Sequence, residues 1–188
     1  MRDKIKDTLL ESIKVKEDLL HQGIGKILEI TQLIIEALKK NGKVILFGNG
    51  GSASDSQHIA AELIGRFKKD RVALAALALT TNTSILTSLA NDYGYDVVFA
   101  KQIEALGQKN DVAVGISTSG RAKNVLAGIK QAKKMGIKTV ALTGGEGGEL
   151  VKLADVSLMV PSLVTARIQE AHITIGHIIC EIVEQTLC

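Results

Sequence analysis

Five short apolar runs, "KVILFG" from 43, "LAALAL" from 74, "DVAVGIS" from 111, "KTVALTG" from 138 and "VSLMV" from 156, recur along this chain with longer amphipathic stretches between them. Runs of this length that are apolar at consecutive positions suit strands buried on both faces, whereas a half-exposed strand alternates apolar with polar. Strands alternating with helices form parallel sheets covered on both sides. The pattern therefore predicts an α/β, doubly wound domain: a mainly parallel five-stranded sheet flanked by helices. Ahead of it, apolar residues at helical spacing (Ile5, Leu9, Ile13; Ile27, Ile30, Ile34, Leu38) predict two helices interrupted near "GIG" at 23–25 and ended by Asn41-Gly42. Pro161 introduces a long closing helix over about 164–187. At 188 residues the chain fits one domain, with a helical segment over 1–41 and an α/β core with its closing helix over 43–188.

Composition narrows the function. A net charge of +3 from dispersed lysines, with 3% aromatic residues, offers neither the clustered basic face nor the stacking rings that nucleic acid binding uses. No stretch reaches the eighteen apolar residues of a membrane span, and the charged N-terminus has no signal-peptide core, so no membrane partner and a cytoplasmic location are expected. Cys180 and Cys188, eight residues and about 12 Å apart on one helix, are too distant to pair and should be free thiols.

Ligands of open parallel sheets bind outside the carboxyl ends of the strands. That rule selects the loops at 48–53, 80–83 and 117–121. In "FGNGGSASDSQHIAAELIGRF" (47–67) the first of these, with Asn49, Gly50, Gly51 and Ser52, joins a strand to a helix; the third, Ser117-Thr118-Ser119-Gly120, repeats the arrangement. Small residues let backbone N–H groups approach an anion while the helix start favours its charge, so the two loops suit one phosphate monoester. In the competing reading their hydroxyls only cap the helices. Neither loop has the spacing of a Walker sequence or of a dinucleotide fingerprint, which favours a sugar phosphate over a nucleotide.

Behind the first loop, His58 and Glu62 share a helix face, with Arg66 one turn further on as a candidate ion-pair partner of Glu62. In the closing helix Gln169, His172 and His177 interrupt an apolar stretch. Buried, such groups need partners, and either a hydrogen-bond network or a shared metal would provide them.

The stretches "FGNGGSASDSQHIAAELIGRF", "LANDYG", "GISTSG", "ALTGGEGGEL" and "ARIQEAHITIGHIICEIVE" together make the chain resemble the sugar isomerase (SIS) domain family, and within it the phosphoheptose isomerases. The resemblance implies one zinc ion per subunit, held by His58, Glu62, Gln169 and His177. It also implies catalysis by Glu62 and His177, with substrate contacts from Asn49, Gly50, Gly51, Ser52, Glu62, Asn91, Asp92, Ser117, Thr118, Ser119 and Gln169. A homotetramer with active sites completed by neighbouring subunits is part of the same implication. So is an aldose–ketose isomerisation of sedoheptulose 7-phosphate, the first step toward nucleotide-activated heptose for lipopolysaccharide or capsule. Two positions depart from the family pattern: Ala122 stands where a small hydroxyl residue is common, and Ala166 where an aspartate precedes "RIQE". The alternative is a non-enzymatic tetrameric SIS protein similar to the DnaA initiator-associating protein; it shares the glycine-rich loop, so Glu62 and His177 decide between the two.

Overall fold

The computed structural model describes residues 1–188. Its sheet has five parallel strands, β1 (Val44–Gly48), β2 (Ala76–Ala78), β3 (Val112–Ile116), β4 (Lys138–Gly144) and β5 (Val156–Val160), in the order β2-β1-β3-β4-β5. The expected fold class is therefore what the chain adopts. The edge strand β2 is shorter than its apolar run, because only three of those residues pair with β1.

Side chains alternate across the pleat as a doubly covered sheet requires. Val44 and Leu46 enter one apolar cluster with Val112, Val114, Val140 and Leu142. Ile45 and Phe47 enter the other with Ala113 and Ala141. On the first face lie α1 (Arg2–Gln22), α2 (Ile24–Lys39), α3 (Gly51–Ile64) and α8 (Thr165–Leu187). The second face is covered by α5 (Val98–Leu106), α6 (Lys123–Lys134) and, more loosely, α4 (Thr83–Tyr93); the one-turn α7 (Leu150–Leu153) precedes β5. The expected break at 23–25 reduces to Gly23 alone, where α1 passes directly into α2. No helix is long and apolar enough to cross a membrane.

Strand order reverses at β1, which has β2 on one side and β3 on the other. The loops after β1 and β3 thus open side by side at the switch point, where the sheet leaves a crevice for a ligand.

Of the three polar groups in the closing helix, His172 has a structural role. It is fully buried and donates from Nε2 to the Thr143 carbonyl at 3.1 Å, while Nδ1 has no partner. Burial pushes its pKa down to about 4, with the Thr143 hydrogen bond pulling weakly the other way. The unfolded chain would take up this proton near 6.5, so it binds more protons than the folded chain between those values. Stability from this residue is complete above pH 6.5 and is lost as the pH falls toward 4, on the order of 3 kcal/mol in all. Urea unfolding between pH 7 and 4 should show this decline, and His172→Gln, which keeps a donor for Thr143 but does not titrate, should flatten it.

Candidate active site

Helices α3 and α8 come into tight contact at Gly176. A Cβ added at Gly176 would lie 2.7 Å from the Ile59 side chain, so the absence of one is what allows the approach. The neighbours of these two residues, His58 and His177, consequently meet. Their Nε2 atoms are 3.1 Å apart, and the ring centroids 5.0 Å. Glu62, one turn along α3, places Oε1 3.1 Å from His58 Nε2. All three ligand atoms fall within 4.8 Å of one another, so His58, Glu62 and His177 form a group able to hold a metal ion. Two imidazole nitrogens and a carboxylate oxygen are a donor set that zinc accepts. The side chain of His58 is 49% exposed and that of Glu62 25%, which leaves the group open on one side to a substrate.

Gln169 lies two turns before His177 on α8 and meets α3 at its N-terminal end. Its amide packs directly on Gly51, where any side chain would displace it. It therefore faces the glycine-rich loop.

The two loops at the switch point are built alike. Gly50 takes a positive φ of 56° at the start of α3, and Gly120 one of 62° ahead of α6. Neither α3 nor α6 has a side-chain hydrogen bond from its N-cap residue, Gly50 and Ala122 respectively. Ser119 Oγ instead accepts from the Arg121 N–H at 3.3 Å, and Ser52 and Ser117 are buried. The hydroxyls are thus not spent on capping. The Ser52, Ala53 and Ser54 N–H groups are met by the Asn49 and Gly50 carbonyls and that of Val125 by Asn124 Oδ1, so the positive ends of the two helices, more than free N–H groups, favour an anion here. Asn49 and Asn124 tie the loops together through reciprocal side-chain amide bonds, both 2.8 Å. Asn124, on α6, carried no motif in the sequence, and only the fold reveals its role.

Other expectations change. Asn91 and Asp92 sit in the last turn of α4; both are exposed, and they bond to each other at 2.8 Å. Arg66 does not pair with Glu62, because α3 ends at Ile64 and Gly65 turns the chain away. Phe67 and Asp55 were not singled out by the sequence. The Phe67 ring lies 5.8 Å from that of His177, covering it. Asp55, one turn before His58, keeps one carboxylate oxygen buried without a partner. Burial pushes its pKa up to about 6, with His58 drawing it down. Cys180 and Cys188 are free, and burial raises the Cys180 thiol to about 12.

Comparison with known proteins gives this geometry a family. A model described as "SIS domain" matches residues 10–144. A phosphoheptose isomerase of Aquifex aeolicus is 51% identical over 188 residues, covering 100% of this chain and 98% of the relative. This chain belongs to the phosphoheptose isomerases of the SIS family. Among solved structures, phosphoheptose isomerase GmhA from Neisseria gonorrhoeae superposes with a TM-score of 0.93 at 42% identity, covering 98% of each chain. A phosphoheptose isomerase from Francisella tularensis gives 0.94 at 36% identity, covering 97% of each. The family is one of isomerases acting on sugar phosphates, and it disfavours the non-enzymatic alternative.

The tight crossing is open to direct test. Gly176→Leu should force α3 from α8, cost about 1–3 kcal/mol by overpacking, and weaken Zn²⁺ binding roughly tenfold or more. Titration against a chromophoric chelator measures the second effect. Unaltered Zn²⁺ affinity would separate the crossing from the cluster.

Proposed function

We propose that this chain interconverts sedoheptulose 7-phosphate and D-glycero-D-manno-heptose 7-phosphate. The observation that carries the reading is the convergence of Glu62 with His58 and His177 where α3 meets α8, in a fold whose α3 and α6 both start from glycine- and hydroxyl-bearing loops. The phosphate would rest on the loops of Gly50, Gly51 and Ser52 and of Ser117, Thr118 and Ser119, with Asn49, Asn91 and Asp92 reaching the sugar hydroxyls.

In the ketose-to-aldose direction Glu62 takes the proton from C1. The electron pair moves to form the C1–C2 double bond, and the C2 carbonyl oxygen receives a proton from His177, giving a cis-enediol. His177, now neutral, takes the proton of the C1 hydroxyl; the C1 carbonyl forms as the C1–C2 double-bond electrons take Glu62's proton at C2, and the proton first given by His177 stays on the C2 hydroxyl. A positioned acid or base contributes about 10²–10⁴-fold. His58, Glu62 and His177, with Gln169 as a fourth donor, would hold one zinc ion per subunit; when bound, it supplies Lewis-acid polarisation of the sugar oxygens.

The reading extends to assembly. The N-terminal helices expose Ile5, Leu9, Leu10, Ile13, Leu20, Ile24 and Leu28, and an apolar hollow of about 550 Å³ lies between α1, α2 and α8. A homotetramer would cover this surface, and neighbouring subunits would close the open side of the cluster. One domain per subunit, a cytoplasmic location suited to free thiols, and a product feeding nucleotide-activated heptose complete the proposal.

Isomerase assays with sedoheptulose 7-phosphate on zinc-loaded protein should show turnover that falls at least about 10²-fold in Glu62→Gln and in His177→Ala. A wild type without turnover, or full activity in both variants, sinks the mechanism. Sedimentation should give a tetramer for the wild type and smaller species for Leu9→Glu with Leu28→Glu. A tetramer in that variant removes the assigned interface.

A further inference from the structure

Glu184 and Arg71 form an ion pair whose side chains are only 2% and 4% exposed, outside the set of residues assigned to substrate or metal. Their bonds are unusually complete. Glu184 Oε1 accepts from the backbone N–H groups of Lys68 and Lys69, both at 2.9 Å. Oε2 accepts from the Phe67 N–H at 3.3 Å and from Arg71 Nε at 3.0 Å. Arg71 in turn donates from Nη2 to the Glu62 carbonyl and from Nη1 to the Leu63 carbonyl, each at 2.9 Å. These carbonyls belong to the last turn of α3, which an α-helix leaves without internal partners.

One pair thus fixes two things that matter to the cluster. It closes the end of α3 at Glu62 itself. It also anchors the segment after that helix, so that the Phe67 ring stays on His177. Helical geometry explains why Glu184 can do this: seven residues beyond His177, it lies on nearly the same face of α8, about 10 Å further along. One face of α8 therefore presents His177 to α3 and, two turns later, a carboxylate to the chain leaving α3.

We infer that Glu184 and Arg71 are positioning residues for the His58–Glu62–His177 cluster, setting the orientation of the His177 ring and the Glu62 side chain through Phe67 and the end of α3. The inference rests on the proposed role of that cluster, but it can fail independently.

The test uses the full-length protein. Removing one partner of a buried pair leaves an uncompensated charge, whereas replacing both with apolar residues of similar volume often preserves the fold. Arg71→Met with Glu184→Leu therefore separates folding from positioning. Three measurements apply: thermal unfolding, the ¹H–¹³C resonances of the His177 imidazole in zinc-free protein, and Zn²⁺ affinity by chelator competition. The double variant should fold, and its His177 signals should move to where Phe67→Ala puts them. Its Zn²⁺ affinity should fall about 10–100-fold, and kcat should drop more than KM rises. Glu184→Gln, which keeps oxygen acceptors for some of the N–H groups, should lie between. A folded double variant with wild-type His177 signals and Zn²⁺ affinity overturns the inference. Should the double variant not fold, Glu184→Gln and Arg71→Lys decide by the same two readouts, and wild-type values overturn it. The His177 signals need neither zinc nor turnover: displaced signals in a protein with no isomerase activity support the positioning role and count only against the proposed reaction.

Discussion

The contact between α3 and α8 is the constraint on which the site depends. His58 and His177 are separated by more than a hundred residues, and nothing local brings them together. The approach is possible because Gly176 has no side chain to meet Ile59. Both helices lie on the same face of the sheet and bury Ile59, Leu63, Ile175 and Ile179 in one cluster. Hydrophobic burial therefore supplies the force that brings the helices together, and the glycine sets their separation. A polar cluster at such a crossing has rigid neighbours on both sides, which is the preorganisation that metal binding and proton transfer need.

The sheet was legible because its information is local. Each apolar run declares a doubly buried strand by itself, and five of them separated by helices leave few arrangements. The loops were legible for the same reason, since strand-to-helix turns rich in glycine and hydroxyl residues mark the switch-point crevice without reference to the rest of the chain. What the loops do was harder to read. Serine and threonine at a helix start look the same whether they cap the helix or leave it free for an anion. In the structure no serine or threonine caps either helix, and Ser119 Oγ takes the Arg121 N–H instead, a distinction the sequence does not carry.

The cluster was only half legible. His58 and Glu62 follow from helical spacing, but the identity of their third partner does not, since His172 and His177 are equally polar interruptions of one apolar helix. Their fates differ by angle and depth. Five residues apart, they point to different sides of α8: His172 inward to the Thr143 carbonyl, where burial keeps it neutral, and His177 toward α3. The resemblance to a family named His177 in advance; the packing gives the physical reason. Asn124, Phe67, Arg71 and Glu184 were not found because each acts through a neighbour distant in sequence, and no motif of spacing links them to it.

The arrangement divides labour between two kinds of element. The loops after β1 and β3 hold backbone N–H groups and small hydroxyl residues, which recognise charge and shape but carry no group that takes or gives a proton near neutrality. Such a crevice suits many ligands of the same charge. The clustered titratable groups sit instead on helix faces beyond the loops, where spacing along α3 and α8 fixes them relative to one another. Gln169, packed against Gly51 and on the same helix as His177, spans the two parts. On the proposed function, a change in a loop should therefore alter which phosphate is held, while a change in the crossing of α3 and α8 should alter what happens to it, and Gln169 is the residue at which the two effects meet.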